Sequence, residues 1–252
     1  MTCWTPMLLA VSVCVVLGGC APVSSDSQKD SMDPDARLRV AEAAERSGDR
    51  ELAASMYAAA AQGGPSDAAL ERVAEGLARN GKLDDAAALL RQRMQGRPLQ
   101  PDLLRTLGAI EVLAGQPAQA EAAFSEALAA RPNDVKALAD DGVALDLQHR
   151  HAQAQVMYRK ALELAPGDAE ISNNLALSLA MSGHVQEARA VLLPFRDATD
   201  VPERVKVNLG ILEAAGGNAA EAQRLLEGSV DQTDLTMLTR AMGAGGQSAG
   251  KP

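Results

Sequence analysis

Residues 101–134 read PDLLRTLGAIEVLAGQPAQAEAAFSEALAARPND, and the next 34 residues, 135–168, read VKALADDGVALDLQHRHAQAQVMYRKALELAPGD. The two segments align without a gap. A repeat of this length is typical of chains that stack copies of one small supersecondary unit. The same period divides the chain into units at 34–66, 67–100, 101–134, 135–168, 169–202 and 203–233.

The eighth and twentieth positions of every unit hold only glycine or alanine. The eighth residues are Ala41, Ala74, Gly108, Gly142, Ala176 and Gly210; the twentieth are Ala53, Ala86, Ala120, Ala154, Ala188 and Ala222. Small side chains let two helix axes approach closely. The twenty-fourth position is bulky, with Tyr57, Leu90, Phe124, Tyr158, Leu192 and Leu226. We expect these large side chains to fill the core beside the small contacts.

Glycine and proline mark where the helices of each unit end. The fifteenth position holds Gly48, Gly81, Gly115, Gly183 and Gly217, and His149 replaces glycine in the fourth unit. A glycine here indicates that the first helix stops with a positive φ. Pro65, Pro98, Pro132 and Pro166 occupy the end of the second helix, which proline cannot continue. Each unit is therefore predicted to be two antiparallel helices.

This pattern resembles the tetratricopeptide repeat over residues 34–233 of the 252. The resemblance implies an all-α fold, a tetratricopeptide-repeat α-solenoid of about six helix-turn-helix units, with a concave and a convex face. The scarcity of aromatic residues, 2% of the chain, also favours helices over a β-sandwich or barrel. Residues 234–252 are expected to form a short capping helix and a disordered tail.

The N-terminus has the features of a targeting segment. Met7 to Leu17 is an apolar run of 11 residues, too short to span a bilayer and suited to a signal peptide. The following Gly18-Gly19-Cys20 resembles a bacterial lipobox, which implies a signal peptide at 1–19 and lipid attachment at Cys20. An ordinary secretory peptide cut nearby, or a short anchor, is the alternative. Residues 20–33 are polar and are predicted to be a flexible tether.

Lipidation at Cys20 would leave no thiol for a disulfide, a nucleophile or a metal site. Cys3 and Cys14 fall in the segment that would be removed. Ala21 follows the cysteine, which resembles the Gram-negative pattern sorted to the outer membrane, facing the periplasm. Each buried acyl CH₂ contributes roughly 0.8 kcal/mol, so several chains on one cysteine give stable attachment.

We find no catalytic motif and expect no enzyme, cofactor or metal. The net charge of −9 argues against nucleic acid, and no small-molecule substrate is indicated. His149 and His151 lie in a predicted turn and are interpreted as exposed, although a weak metal site shared with His184 stays open. The pairs Asp140-Asp141 and Asp84-Asp85 are interpreted as exposed helix-surface charges.

The resemblance also implies which residues face the groove, because the second, fifth, sixth, ninth, twelfth and thirteenth positions of the first helix tend to do so. The sixth position runs Arg72, Thr106, Asp140, Asn174 and Asn208; the ninth runs Glu75, Ala109, Val143, Leu177 and Ile211. The C-terminal units thus offer amides beside apolar residues, which suits a peptide partner. The predicted partner-binding residues are Asn173, Asn174, Asn208, Val143, Leu177 and Ile211. Alternatively, Leu177 and Ile211 pack on a neighbouring helix and the asparagines cap helices or contact solvent.

Three phrases resemble the tetratricopeptide lipoprotein of the tight-adherence (Tad) system, which assembles Flp-type pili. They are residues 107–132, 142–183 and RVKVNLGILEAAGG at 204–217. The resemblance implies an outer-membrane scaffold that binds a secretin or other pilus-assembly components, as a pilotin-like factor. A pilotin or scaffold of another type IV pilus, secretion, or exopolysaccharide and cell-wall system is the alternative.

Replacing the acylated residue tests the lipobox. Cys20→Ser should leave the protein soluble or unprocessed, because serine offers no thiol for acylation, whereas Cys14→Ser should behave as the wild type. The measurement is outer-membrane fractionation with detergent partitioning. Lipid-dependent fractionation of the Cys20→Ser protein with the outer membrane would show that the lipobox assignment is wrong.

Overall fold

The computed structural model of the chain describes residues 32–98 and 100–229, and the regular structure of these residues is entirely helical. The expected signal peptide, lipidated Cys20, most of the tether, and the expected capping helix and tail lie outside the described residues. Within them, no helix is both long enough and apolar enough to cross a membrane.

The described residues form six antiparallel helix hairpins. The hairpins are α1 (Pro34–Arg46) with α2 (Arg50–Gln62), α3 (Asp67–Arg79) with α4 (Leu83–Met94), α5 (Pro101–Leu113) with α6 (Pro117–Ala130), α7 (Val135–Leu147) with α8 (His151–Leu164), α9 (Ala169–Met181) with α10 (Val185–Leu192), and α11 (Glu203–Ala215) with α12 (Ala219–Leu226). A 3₁₀ turn, Leu193–Phe195, follows α10. The predicted all-α solenoid is confirmed.

Short polar side chains and positive-φ residues set the helix ends. The N–H of Ala36 donates to Asp33 at the start of α1, and the N–H of Ile171 donates to Asp168 at the start of α9. The turn within each hairpin contains a residue with positive φ, between 70° and 87° at the five glycines. His149 adopts the same conformation with φ of 59°. This backbone costs a non-glycine residue roughly 1–2 kcal/mol.

The small and bulky positions of the repeat meet inside the hairpins. All the alanines of the eighth and twentieth positions are fully buried, and the residues at the twenty-fourth position are at most 1% exposed. A Cβ added to Gly108 would lie 2.6 Å from the Phe124 ring, and one added to Gly142 would lie 2.5 Å from the Tyr158 ring. These separations are shorter than any non-bonded contact between two carbon atoms. The helices cross so closely that the ring excludes a methyl group.

The two tyrosines at the twenty-fourth position each have a carboxylate partner on the preceding helix. The hydroxyl of Tyr57 donates to Glu45 at 2.8 Å, and that of Tyr158 donates to Asp146 at 3.1 Å. A buried phenol needs an acceptor. Burial, together with Glu45, raises the pKa of Tyr57 to about 12. Units with leucine or phenylalanine here have an apolar residue at the position of the acid: Ala78, Val112, Ala180 and Ala214.

The first helices of the hairpins lie on the inner side of the solenoid. Contacts join α1 to α3, α3 to α5, α5 to α7, α7 to α9 and α9 to α11, and none comparable joins successive second helices of the described chain. Rows of helices that touch along one side only curve toward that side. The core divides into one cluster in the first three hairpins and another in the last three.

Enlarging a twentieth-position alanine tests the packing rule. Ala154 on α8 is fully buried, so Ala154→Leu should lower the free energy of unfolding by about 1–3 kcal/mol through overpacking. Ala152 on the same helix is exposed, and Ala152→Leu is the matched control with little effect. Chemical denaturation measures both. A neutral Ala154→Leu would contradict the close helix crossing.

Candidate functional site

The N-terminal part of the inner surface is charged, and its charges are paired with one another. Arg79 Nε lies 2.8 Å from Glu45, and Arg105 lies 2.7 Å from Glu71. The hydroxyl of Thr106 also donates to Glu71, at 3.0 Å. Each contact joins the first helices of neighbouring hairpins. These polar groups therefore hold the helices in register.

The inner surface becomes apolar from α5 onward. Leu113, Leu147 and Met181, at the thirteenth position of three successive units, are 67%, 52% and 59% exposed. The ninth-position residues lie one helical turn before them, on the same side of each helix. We call the combined surface the inner apolar face: Ala109, Leu113, Val143, Leu147, Leu177, Met181, Ile211 and Ala215. Exposed apolar residues that are contiguous on helices in contact mark an interaction surface.

The structure separates the predicted partner-binding residues into two groups. Leu177 is exposed and belongs to the inner apolar face, and Val143 and Ile211 contribute to it half-buried. Asn173 is buried, and its side-chain oxygen accepts a hydrogen bond from Asn208 Nδ2 at 2.6 Å. That contact ties α9 to α11. The amides of Asn173 and Asn208 are thus already hydrogen-bonded to each other between helices. The role of these two residues in partner binding stays a prediction.

Asn174 differs from its neighbour Asn173. It is half-buried, and its amide makes no side-chain hydrogen bond with the described residues. It lies one turn before Ser178 and three residues before Leu177, on the helix that carries the centre of the apolar face. Asn174 is therefore the amide best placed to pair with a ligand backbone.

The predicted partner-binding residues omit the three most exposed apolar residues of this surface, although the thirteenth position was among those expected to face the groove. Leu113, Leu147 and Met181 recur at one position of consecutive units, where the first two units have Arg46 and Arg79. That change from arginine to aliphatic side chains was visible in the aligned repeat. What the sequence did not show is their exposure, which depends on the helices beside them.

Asp141 is buried, so the prediction that Asp140 and Asp141 are both surface charges is wrong for this residue. Asp141 is 5% exposed and occupies the seventh position, where the other units have Val40, Val73, Leu107, Leu175 and Leu209. Its Oδ1 has no hydrogen-bond partner among the described residues. Burial raises the pKa of Asp141 to about 6, with a further rise from Glu121 and an opposing effect from Arg150. Asp84 and Asp85 are exposed as predicted.

The rings of His149 and His151 lie 6.1 Å apart, edge to face. His149 is exposed in its turn, but His151 is only partly exposed, because its Nδ1 lies 2.8 Å from Asp146 Oδ1. The prediction that both are exposed is thus wrong for His151. His184 Nδ1 lies 3.3 Å from Ser182. In the described ranges no group of three or more histidine, cysteine or acidic residues could hold a metal ion.

Comparisons with known proteins agree with this architecture. Residues 147–203 match the tetratricopeptide repeat family. The search of curated proteins found no match. Among solved structures, PilW, described as a widely conserved type IV pilus biogenesis factor, is similar with a TM-score of 0.65 and 20% identity, covering 76% of this chain and 90% of PilW.

Two further structures show the same fold. TTC0263, a thermophilic tetratricopeptide repeat protein of Thermus thermophilus, has a TM-score of 0.54 and 19% identity, covering 70% of this chain and 98% of that one. MamA of Desulfovibrio magneticus has a TM-score of 0.56 and 18% identity, covering 67% of this chain and 97% of MamA. The fold is that of a tetratricopeptide-type α-solenoid, the architecture of protein-interaction scaffolds, and the family matched is not a catalytic one.

The buried carboxyl of Asp141 predicts a pH dependence of stability. Its folded-state pKa of about 6 lies above the ordinary value of 3.8, so its contribution to stability is complete below pH 3.8 and is lost as pH rises through 6. The loss amounts to about 3 kcal/mol.

Asp141→Leu should therefore raise the free energy of unfolding at pH 7, and Asp141→Asn should remove this pH-dependent component. Exposed Asp84→Asn is the control and should leave the profile of stability against pH unchanged. Urea denaturation between pH 4 and 7 measures these effects. An unchanged profile for Asp141→Asn would show that the carboxyl is not desolvated.

Proposed function

We propose that this protein is a non-enzymatic scaffold that binds an apolar segment of a partner protein on its inner apolar face. The observation that carries the proposal is the exposure of Leu113, Leu147 and Met181 on three adjacent helices. An amphipathic helix that binds across these three helices would cover the exposed side chains with its apolar side. The amide of Asn174 would contribute a polar contact beside it.

The chemistry beside the face indicates what else the partner carries. Asp140, at the sixth position of α7, is half-buried and has no salt bridge within the described residues. Burial raises its pKa, and Arg105 and Lys136 oppose that rise. A partner segment with a basic residue next to its apolar side would pair with this carboxylate. The preferred ligand is therefore an apolar segment with a flanking lysine or arginine.

We place this activity in pilus assembly at the outer membrane. The support is the sequence resemblance to the Tad tetratricopeptide lipoprotein, together with the lipobox-like Gly18-Gly19-Cys20. PilW has a role in pilus biogenesis, but at 20% identity its likeness supports the fold alone. In this proposal the acylated Cys20 confines the solenoid to the periplasmic side of the outer membrane. Confinement raises its effective concentration near a secretin, which it would serve as a pilotin-like factor.

Introducing a charge into the inner apolar face tests whether the partner binds there. Leu147→Asp should reduce capture of the secretin from envelope extracts at least tenfold, because a carboxylate would be desolvated against the apolar segment. Val156 on α8 is 46% exposed on the other side of the solenoid, and Val156→Asp is the matched control with normal capture. The measurements are quantitative affinity capture of the secretin and counts of assembled pili.

Both substitutions replace exposed side chains, so the melting temperatures should stay close to that of the wild type. Equal capture of the secretin by the wild type and by Leu147→Asp would contradict binding at the inner apolar face. If Leu147→Asp instead loses capture of a protein other than a secretin, the binding face stands and the pilus assignment is overturned.

A further inference from the structure

A cavity of about 710 Å³ lies between the second and third hairpins, apart from the inner apolar face. It is bounded by α4, the residues that follow it, α5 and α6. The α5 residues that line it, Leu104, Leu107 and Glu111, are on the side of α5 that faces the second helices. A cavity of this size is in the range of small-ligand and side-chain sites.

The cavity contains hydrogen-bond acceptors without donors. Glu111 is 2% exposed; its Oε1 accepts a hydrogen bond from Arg91 at 2.6 Å, whereas its Oε2 is buried without a partner among the described residues. Gln100 Oε1 is buried without a partner as well, while its amide nitrogen donates to Asp67 at 2.8 Å. Burying a carboxylate oxygen without a donor is unfavourable, and a bound donor would relieve it.

The charges around the cavity favour a cation. Arg97 is held by Asp67 at 2.9 Å, and Arg91 is held by Glu111 and by Gln119 at 2.9 Å. Glu126 also lines the cavity, and its carboxylate forms no ion pair with the residues that the structure describes. Both arginines are therefore paired with carboxylates, which leaves Glu126 and the Oε2 atom of Glu111 without a partner among the described residues.

The sixth hairpin has a related arrangement, in which the buried glutamate is next to an arginine and also accepts a hydrogen bond from a side-chain amide. Glu213 occupies the position of Glu111 in its unit and is equally buried. Its Oε2 lies 2.7 Å from Arg189, as Glu111 lies near Arg91, and it also accepts a hydrogen bond from Asn218 at 2.6 Å. The residue at the position of Asn218 in the third unit is Gln116, which lines the cavity without such a hydrogen bond to Glu111. A donor that the sixth hairpin supplies internally is thus missing in the third.

We propose that this cavity binds an organic cation, a guanidinium or ammonium group on an aliphatic stem. The cationic group donates to Glu111 Oε2, and the stem packs on Met94, Leu104 and Leu107. The group can be the side chain of an arginine or lysine of a partner protein, or a free small amine. The site is independent of the inner apolar face.

Calorimetric titration of the full chain with butylguanidinium tests the proposal, with butylurea as the neutral analogue of the same shape. Butylguanidinium should bind saturably and butylurea at least tenfold more weakly, because a hydrogen bond to a charged group is worth about tenfold or more. Glu111→Gln should weaken butylguanidinium binding at least tenfold. Glu213→Gln is the matched control and should bind as the wild type does.

Ala122→Met provides a second variant, since Ala122 lines the cavity and is exposed, and a longer side chain should narrow the opening without removing a charge. It should weaken binding while circular dichroism shows the native helix content. Equal binding of butylurea, or unchanged binding by a folded Glu111→Gln or Ala122→Met protein, would overturn the proposal. Titration with agmatine and with a capped Gly-Arg-Gly peptide distinguishes the two sources, and the tighter ligand identifies the source.

Discussion

The close approach of the two helices within each hairpin is the constraint on which the rest of the structure depends. A glycine or alanine at the eighth position faces the large residue at the twenty-fourth, so closely that a methyl group on Gly108 or Gly142 would overlap an aromatic ring. Because all six hairpins have a small residue at the eighth position and a fully buried bulky residue at the twenty-fourth, they have similar shapes and stack with a regular offset. The stacking brings the first helices together on the inner side and thereby creates the surface on which we propose that a partner binds.

The hydrophobic core divides into two clusters at the junction between the third and fourth hairpins. Ala120, Phe124 and Ala144 form a small cluster across α6 and α7 there, and Leu128 of α6 packs against the second large cluster. Asp141 occupies a position that is aliphatic in every other unit, close in sequence to this small cluster. A buried carboxylate with an unpaired oxygen is unfavourable at this position. The inner apolar face crosses this junction, so a ligand bound along it would contact both halves.

The two candidate sites use different parts of the same repeat. The inner apolar face is made by positions nine and thirteen, which point away from the second helices, and it suits an apolar segment. The cavity beside Glu111 is made by positions four, seven and eleven, which point toward the second helices, and it suits a cation. On α5 the two sets of positions lie on opposite sides of the helix. The solenoid therefore offers two partners, or two parts of one partner, separate attachment points.

The amino-acid sequence by itself determined the helix pairs, the close helix crossings and the turn positions, because these depend on contacts within one repeat and recur in six copies. It also showed that the C-terminal units are more apolar on their first helices. Only the tertiary structure decided which side chains are exposed or partnered. Asn173 and Asn208 meet across 35 residues, and the exposure of Leu113 and the burial of Asp141 depend on neighbouring hairpins. The physical reason is that burial and hydrogen bonding are set by the packing between repeats, and a periodic pattern specifies each repeat without specifying what its neighbour places against it.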